Sequence, residues 1–163
     1  MNIVLLEPEQ PGNTFNIGRT CVVTASSLHI IYPIPFRLHD KRQSRAGLDY
    51  WDKVDLHTYV DWEDFARQHE DAQIFFATTK ALQTYADVKY EPDAYIVFGK
   101  ESAGIPEEIL IEHPKECIRI PMFGESRSLN LSNSAAIILY EALRQQEFAG
   151  LENEGHLHRL SWD

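Results

Sequence analysis

The sequence predicts an α/β fold, a mainly parallel sheet flanked by helices. Three observations predict it: five short apolar runs, stretches of helical spacing between them, and a length of 163 residues, enough for one sizeable core. Runs rich in branched and aromatic residues suit buried strands. Strands that alternate with helices imply a parallel sheet covered on both sides.

Residues 3–6 are the first strand, Ile-Val-Leu-Leu. Residues 14–25 place Ile17, Cys21, Thr24 and Ala25 on one helical face, and 28–31 are again continuously apolar. Residues 33–53 break the order, because Pro33 and Pro35 exclude a helix and, within 37–45, Arg37, Lys41, Arg42 and Arg45 outnumber Asp40. A helix follows at 62–69, then strands at 74–77, 94–98 and 118–120. The last helix, 131–146, keeps Leu131, Ala135, Ile138, Leu139 and Ala142 in register. No repeat, low-complexity stretch or linker divides the chain, so one domain over 1–150 is expected. A loose acidic tail, 151–163, should follow it.

Lys plus Arg number 15 against 25 Asp plus Glu, a net charge of -10, which disfavours nucleic-acid binding by bulk positive charge but leaves room for a local basic patch. Cys21 and Cys117 are too few and too widely spaced for a disulfide framework, so free thiols and a cytoplasmic setting are expected. The N-terminus lacks a basic region before its short apolar run, and no run approaches the roughly 18 residues of a membrane span. A soluble protein without a membrane role is expected.

Familiar phosphate cradles are absent. Gly12 to Gly18 lacks the GxGxxG spacing, and Gly99 to Gly104 is followed by Ile105-Pro106 where a phosphate-binding loop needs Lys and Ser or Thr. There is no HExxH or GxSxG, and His156-x-His158 in an acidic tail reads as a solvated end rather than a metal site.

Three segments rich in Gly, Asn, Ser and Pro remain at strand ends, where open α/β sheets bind ligands. The first, 7–21, turns into a helix that Asn13 or Thr14 can cap, with Arg19 one turn in, as a surface cation or a site residue. In the second, 97–106, a strand ends on Gly99 and lets a ligand approach the backbone, while Glu101 can accept hydrogen bonds from a ligand or from neighbouring amides. In the third, 118–136, Ser128, Asn130, Ser132 and Asn133 crowd a helix entrance where one cap suffices. The surplus points to a binding loop or to solvated neighbours of the cap.

In order and spacing these segments resemble the three motifs of the SpoU branch of the SPOUT methyltransferases. Asp40-Lys41-Arg42 with Arg45-Ala46-Gly47-Leu48-Asp49-Tyr50 resembles its subfamily of tRNA wobble-nucleotide 2′-O-methyltransferases. The resemblance covers residues 2 to about 146. One position departs from it, Phe15, where the family usually has Gly.

The resemblance implies a deep C-terminal trefoil knot, S-adenosylmethionine bent within the knot loops, and a homodimer. On the matching positions the cofactor would lie against Ala77, Gly99, Glu101, Ile120, Met122, Ser128 and Leu129. The reactive arginine would be Arg19, with Asn16, Ser128 and Asn130 around it. Lys41, Arg42 and Arg45, with Arg19, would hold the RNA backbone, and Tyr50 or Trp51 would either stack on an anticodon base or belong to the core. The implied reaction moves a methyl group to the ribose 2′-hydroxyl of the wobble nucleotide in a tRNA subset, with leucine isoacceptors the expected substrates. It needs alignment rather than a metal. A guanidinium with a pKa above about 12 is a poor base, so Arg19 is expected to position a phosphate and stabilise negative charge.

Overall fold

Alternation of side chains across a pleat decides the layering. In β1 (Asn2–Leu6), Ile3 and Leu5 face one side and Val4 and Leu6 the other. Both sides are buried, the mark of a central parallel strand. This computed structural model describes residues 1–38, 50–124 and 128–162, so Lys41, Arg42 and Arg45 lie outside the described residues.

After β1 come α1 (Pro11–Val23), β2 (Ser27–Ile31), a single 3-10 turn (Trp51–Lys53), β3 (Leu56–Tyr59), α2 (Trp62–Gln68), β4 (Ile74–Ala77) and β5 (Tyr95–Phe98). Then follow α3 (Glu107–Glu112), β6 (Cys117–Ile118) and α4 (Leu131–Gln145). The strands form one sheet in the order β3-β2-β1-β5-β4-β6, every pairing parallel. The register sets Ile3 beside Leu28 and Ile96, so apolar side chains line up across the sheet.

One face carries Ile3, Leu5, Leu28, Ile30, Ile96 and Phe98 against Ile17 and Cys21 of α1 and Ala135, Ile138, Leu139 and Ala142 of α4. The opposite face packs Val4, Leu6, Ile31, Phe76 and Val97 against Phe65 of α2 and Leu110 of α3. Each fully buried aliphatic or aromatic side chain contributes about 1.5–3 kcal/mol, which makes these two layers the main source of stability.

Several boundaries differ from the sequence reading. α1 begins three residues earlier than expected because Pro11 takes a first-turn position, where its missing N–H costs nothing. Its N-cap is Gln10 without a side-chain cap, so neither Asn13 nor Thr14 caps it. Strand β6 stops at Ile118, since Arg119 turns to exchange hydrogen bonds with 83–85: its N–H donates to the Gln83 carbonyl (3.1 Å) and its carbonyl accepts from Tyr85 N–H (2.9 Å). β3 and α3 gave no sequence signal, because β3 is an edge strand with His57 and Thr58 exposed and α3 has only six residues. From residue 146 to 162 no helix or strand forms among the described residues.

Candidate active site

The carboxyl ends of β4, β5 and β6, with Gln10 and Asn13 from beyond β1, line one cavity of about 770 Å³. Its apolar wall is Ala77, Phe98, Ile118, Ile120, Met122, Leu129 and Ile138. Thr78, Thr79, Ser128 and the backbone of 99–104 supply polar groups. Volume and lining both match a small-molecule site, apolar walls with a few convergent hydrogen-bonding groups.

All seven residues that the resemblance assigned to the cofactor, Ala77, Gly99, Glu101, Ile120, Met122, Ser128 and Leu129, line this cavity, and so does Asn130. Gly99 has a steric reason to be there. A Cβ on it would lie 2.1 Å from the Gly104 carbonyl carbon and 2.3 Å from the Ile105 nitrogen, so the loop folds back on the strand end in contact with its backbone. Gly104 itself adopts φ +74°, the left-handed turn that closes this fold.

A chain of hydrogen bonds ties the three segments together. One oxygen of Glu101 accepts from Glu9 N–H (2.8 Å), and the other accepts from Gln10 N–H (3.3 Å) and from the Asn13 amide (2.9 Å). Asn13 accepts in turn from the Asn130 amide (2.9 Å). The Asn130 oxygen caps α4, accepting from Ser132 N–H (2.9 Å) and Asn133 N–H (3.2 Å), and it also takes the Ser132 hydroxyl (2.7 Å). Of the two readings of Glu101, its bonds within the chain are the ones to neighbouring amides. The surplus of small polar side chains before α4 is partly spent on the cap itself.

Glu9 returns the contact, its carboxylate accepting the N–H (2.9 Å) and hydroxyl (2.8 Å) of Ser102. Those two bonds hold its pKa below the ordinary carboxylate value. Glu7 pairs with Lys100 and raises the lysine pKa. Loop 7–10 is thus fastened to loop 99–102 at several points.

Arg19 and Asn16 stand elsewhere, exposed on α1 and outside the cavity lining. The Arg19 guanidinium carbon lies 4.6 Å from the centroid of the Tyr50 ring. Tyr50 and Trp51 are both buried, so the core reading applies to them and the base-stacking reading does not. Phe15, at the position where the family usually has Gly, is buried with its ring edge-on to Trp51 at 4.6 Å and tilted against Phe36 at 6.4 Å.

Residues 1–140 match the SpoU rRNA methylase family. The chain belongs to this family. Among similar proteins, the tRNA (cytidine(34)-2′-O)-methyltransferase of Saccharophagus degradans is 45% identical over 150 residues, 91% of this chain and 97% of the relative. One bearing the same name from Methylovorus glucosotrophus is 43% identical, again covering 91% of this chain and 97% of its own. A crystal structure of a Bacillus anthracis protein superposes with a TM-score of 0.88 at 44% identity, covering 94% of this chain and 99% of that one. A structure described as giving insight into 2-OH methylation of C/U34 on tRNA has a TM-score of 0.83 at 36% identity, covering 90% and 95%.

Three residue sets escaped the sequence reading. Asn13 bridges two segments but read only as a cap, although a polar residue on a buried helix face is a usable signal. Thr78, Thr79 and Lys80 line the cavity from a loop whose sequence carries no motif. The Glu9 and Ser102 pair joins residues 93 apart, and no local pattern predicts such a contact. Among the described residues, no group of three or more His, Cys, Asp and Glu side chains is arranged to hold a metal, and no helix is long and apolar enough to cross a membrane.

Proposed function

We propose that this SpoU-family chain transfers a methyl group from S-adenosylmethionine to the ribose 2′-hydroxyl of the wobble nucleotide, a cytidine or modified uridine, in a subset of tRNAs, with leucine isoacceptors the expected substrates. The observation that carries the reading is the convergence of residues 77, 99, 101, 120, 122, 128 and 129 on one cavity. Their chemistry suits the cofactor: Ile120, Met122, Leu129 and Ile138 offer apolar surface to a purine, and Ser128 with the strand-end backbone offers hydrogen bonds to its polar edges. S-adenosylmethionine supplies an electrophilic methyl on a sulfonium sulfur. The names of the relatives from Saccharophagus and Methylovorus support the choice of nucleotide and atom.

In this reading the chain's own groups align and stabilise. Alignment accounts for much of the rate when no covalent intermediate is needed. Arg19, exposed on α1, holds the phosphate beside the target ribose and stabilises negative charge on the 2′-oxygen. Asn16, one turn earlier on the same helix, Ser128 and Asn130 flank the reacting ribose. Lys41, Arg42 and Arg45 extend the phosphate contacts.

The same reading includes a single catalytic domain over 1–150 with a tail at 151–163, a C-terminal trefoil knot, a homodimer and a cytoplasmic setting. Membership of the SpoU family supports the knot. Exposed Val23, Ile137 and Tyr140 on α1 and α4 support the dimer, which light scattering at micromolar concentration tests. Two buried free thiols, Cys21 and Cys117, are in keeping with a reducing compartment.

The test is labelled methyl transfer from S-adenosylmethionine to total tRNA from a strain lacking the gene, followed by nuclease mapping. Label in a wobble 2′-O-methyl nucleotide is expected. Label in rRNA or at another tRNA position, or cofactor binding without any transfer, overturns the assignment.

A further inference from the structure

The Arg19 side chain is long, exposed and rich in rotamers, and such a group serves poorly as a catalytic cation unless something holds it. Tyr50 is placed to do so by two separate contacts. Its ring lies under the guanidinium at 4.6 Å, and its hydroxyl donates to the Phe15 carbonyl at 2.8 Å within the core. Phe15 is the residue four before Arg19 in α1, so that carbonyl belongs to the helical turn from which the arginine projects. One side chain therefore fixes both the root and the head of Arg19.

The neighbourhood leaves Tyr50 little freedom. Trp51 seats α1 closely, since a Cβ on Gly18 would fall 2.5 Å from the Trp51 ring. Phe15 meets the same ring edge-on. The segment 50–51 is thus a rigid aromatic platform beneath the Arg19 turn, and α1 cannot slide over it without opening packed aromatic contacts.

We propose that Tyr50 is a positioning residue for Arg19: its ring face holds the guanidinium in the orientation used on RNA, and its hydroxyl braces the turn that carries it. This rests on the reading of Arg19 as an active-site residue. Neither Tyr50 nor Arg19 lines the cofactor cavity. The role should therefore be visible in turnover and not in cofactor affinity.

The experiment compares Arg19→Ala, Tyr50→Phe, Tyr50→Leu and Tyr50→Phe carrying successive ring fluorines in the intact protein. The readouts are kcat and KM for methyl transfer to tRNA, the S-adenosylmethionine Kd by calorimetry, and the melting temperature. Loss of the ring face is expected to lower kcat roughly two- to thirtyfold in Tyr50→Leu, the range of a cation–π contact, with the cofactor Kd unchanged. Tyr50→Phe keeps the face but loses the hydroxyl bond to Phe15, so it should lower kcat and melting temperature less than Tyr50→Leu does. Fluorination of that Phe should then lower kcat further and stepwise at constant shape, with the melting temperature held at that of Tyr50→Phe. A fluorinated series with flat kcat overturns the proposal, even if Tyr50→Leu fails to fold. Full activity in Arg19→Ala instead overturns the underlying reading of Arg19, a result that Tyr50 variants alone cannot mimic.

Discussion

Substituting Glu101→Gln removes a charge at almost constant shape, and the hydrogen bonds around it set the expected cost. The carboxylate accepts three hydrogen bonds, one from Glu9 N–H on one oxygen and two, from Gln10 N–H and the Asn13 amide, on the other. An amide has a single acceptor oxygen. Its better orientation keeps that oxygen toward Gln10 and Asn13, which leaves an NH2 facing the Glu9 N–H across 2.8 Å, donor against donor. A lost bond to a charged acceptor costs about 1.5–3 kcal/mol, and the partial exposure of Glu101 argues for the lower half, about 2 kcal/mol. For a chain of this length that is a fall in melting temperature of roughly 4–8 °C. Thermal and urea unfolding measure it, with Glu108→Gln on exposed α3 as the control. A Glu101→Gln variant within about 0.5 kcal/mol of the parent, the ordinary scatter of surface changes, refutes the clasp.

Other outcomes rest on the same geometry. Gly99→Ala forces the 104–105 backbone away from the strand end, so a loss of about 1–3 kcal/mol is expected, with calorimetry showing weakened S-adenosylmethionine binding. Asn130→Ala removes the α4 cap and its bond to Asn13, and denaturant titration should show a loss of at least about 1 kcal/mol. Burial among Tyr59, Phe65 and Tyr95, reinforced by His57 and His69, pushes the His29 pKa down to about 3. The folded protein then refuses a proton that the unfolded chain accepts near its ordinary value of about 6.5, so this contribution is complete above that pH and lost as pH falls below it. From pH 8 to pH 5 the loss is about 2 kcal/mol, and His29→Gln should flatten that limb of a stability-against-pH curve.

The central strands were legible because burial on both faces writes itself as an unbroken apolar run, as in Ile3 to Leu6. β3 was not, because an edge strand with His57 and Thr58 in water carries no such run. In α4 the stripe Ala135, Ile138, Leu139 and Ala142 reads directly as a buried face. α1 was misplaced at its start, since Pro11 looks like a breaker unless its first-turn position is known. The cavity-lining residues came from a resemblance, not from periodicity, since loops that line a site follow no repeat. Asn13 and Tyr50 stayed hidden because their meaning lies in partners 88 and 35 positions away.

The bonds that close the cavity also set a timetable for biosynthesis. Asn13 meets Glu101 across 88 residues and Asn130 across 117, so the first segment is made long before either partner exists. Loops of that length close late, after local helices and neighbouring strands have formed. A chain cut after residue 124 lacks Ser128, Leu129 and Asn130 of the cavity lining and the final helix that covers one face of the sheet, so it should bind no cofactor, and binding should come only once that last segment has been made and packed.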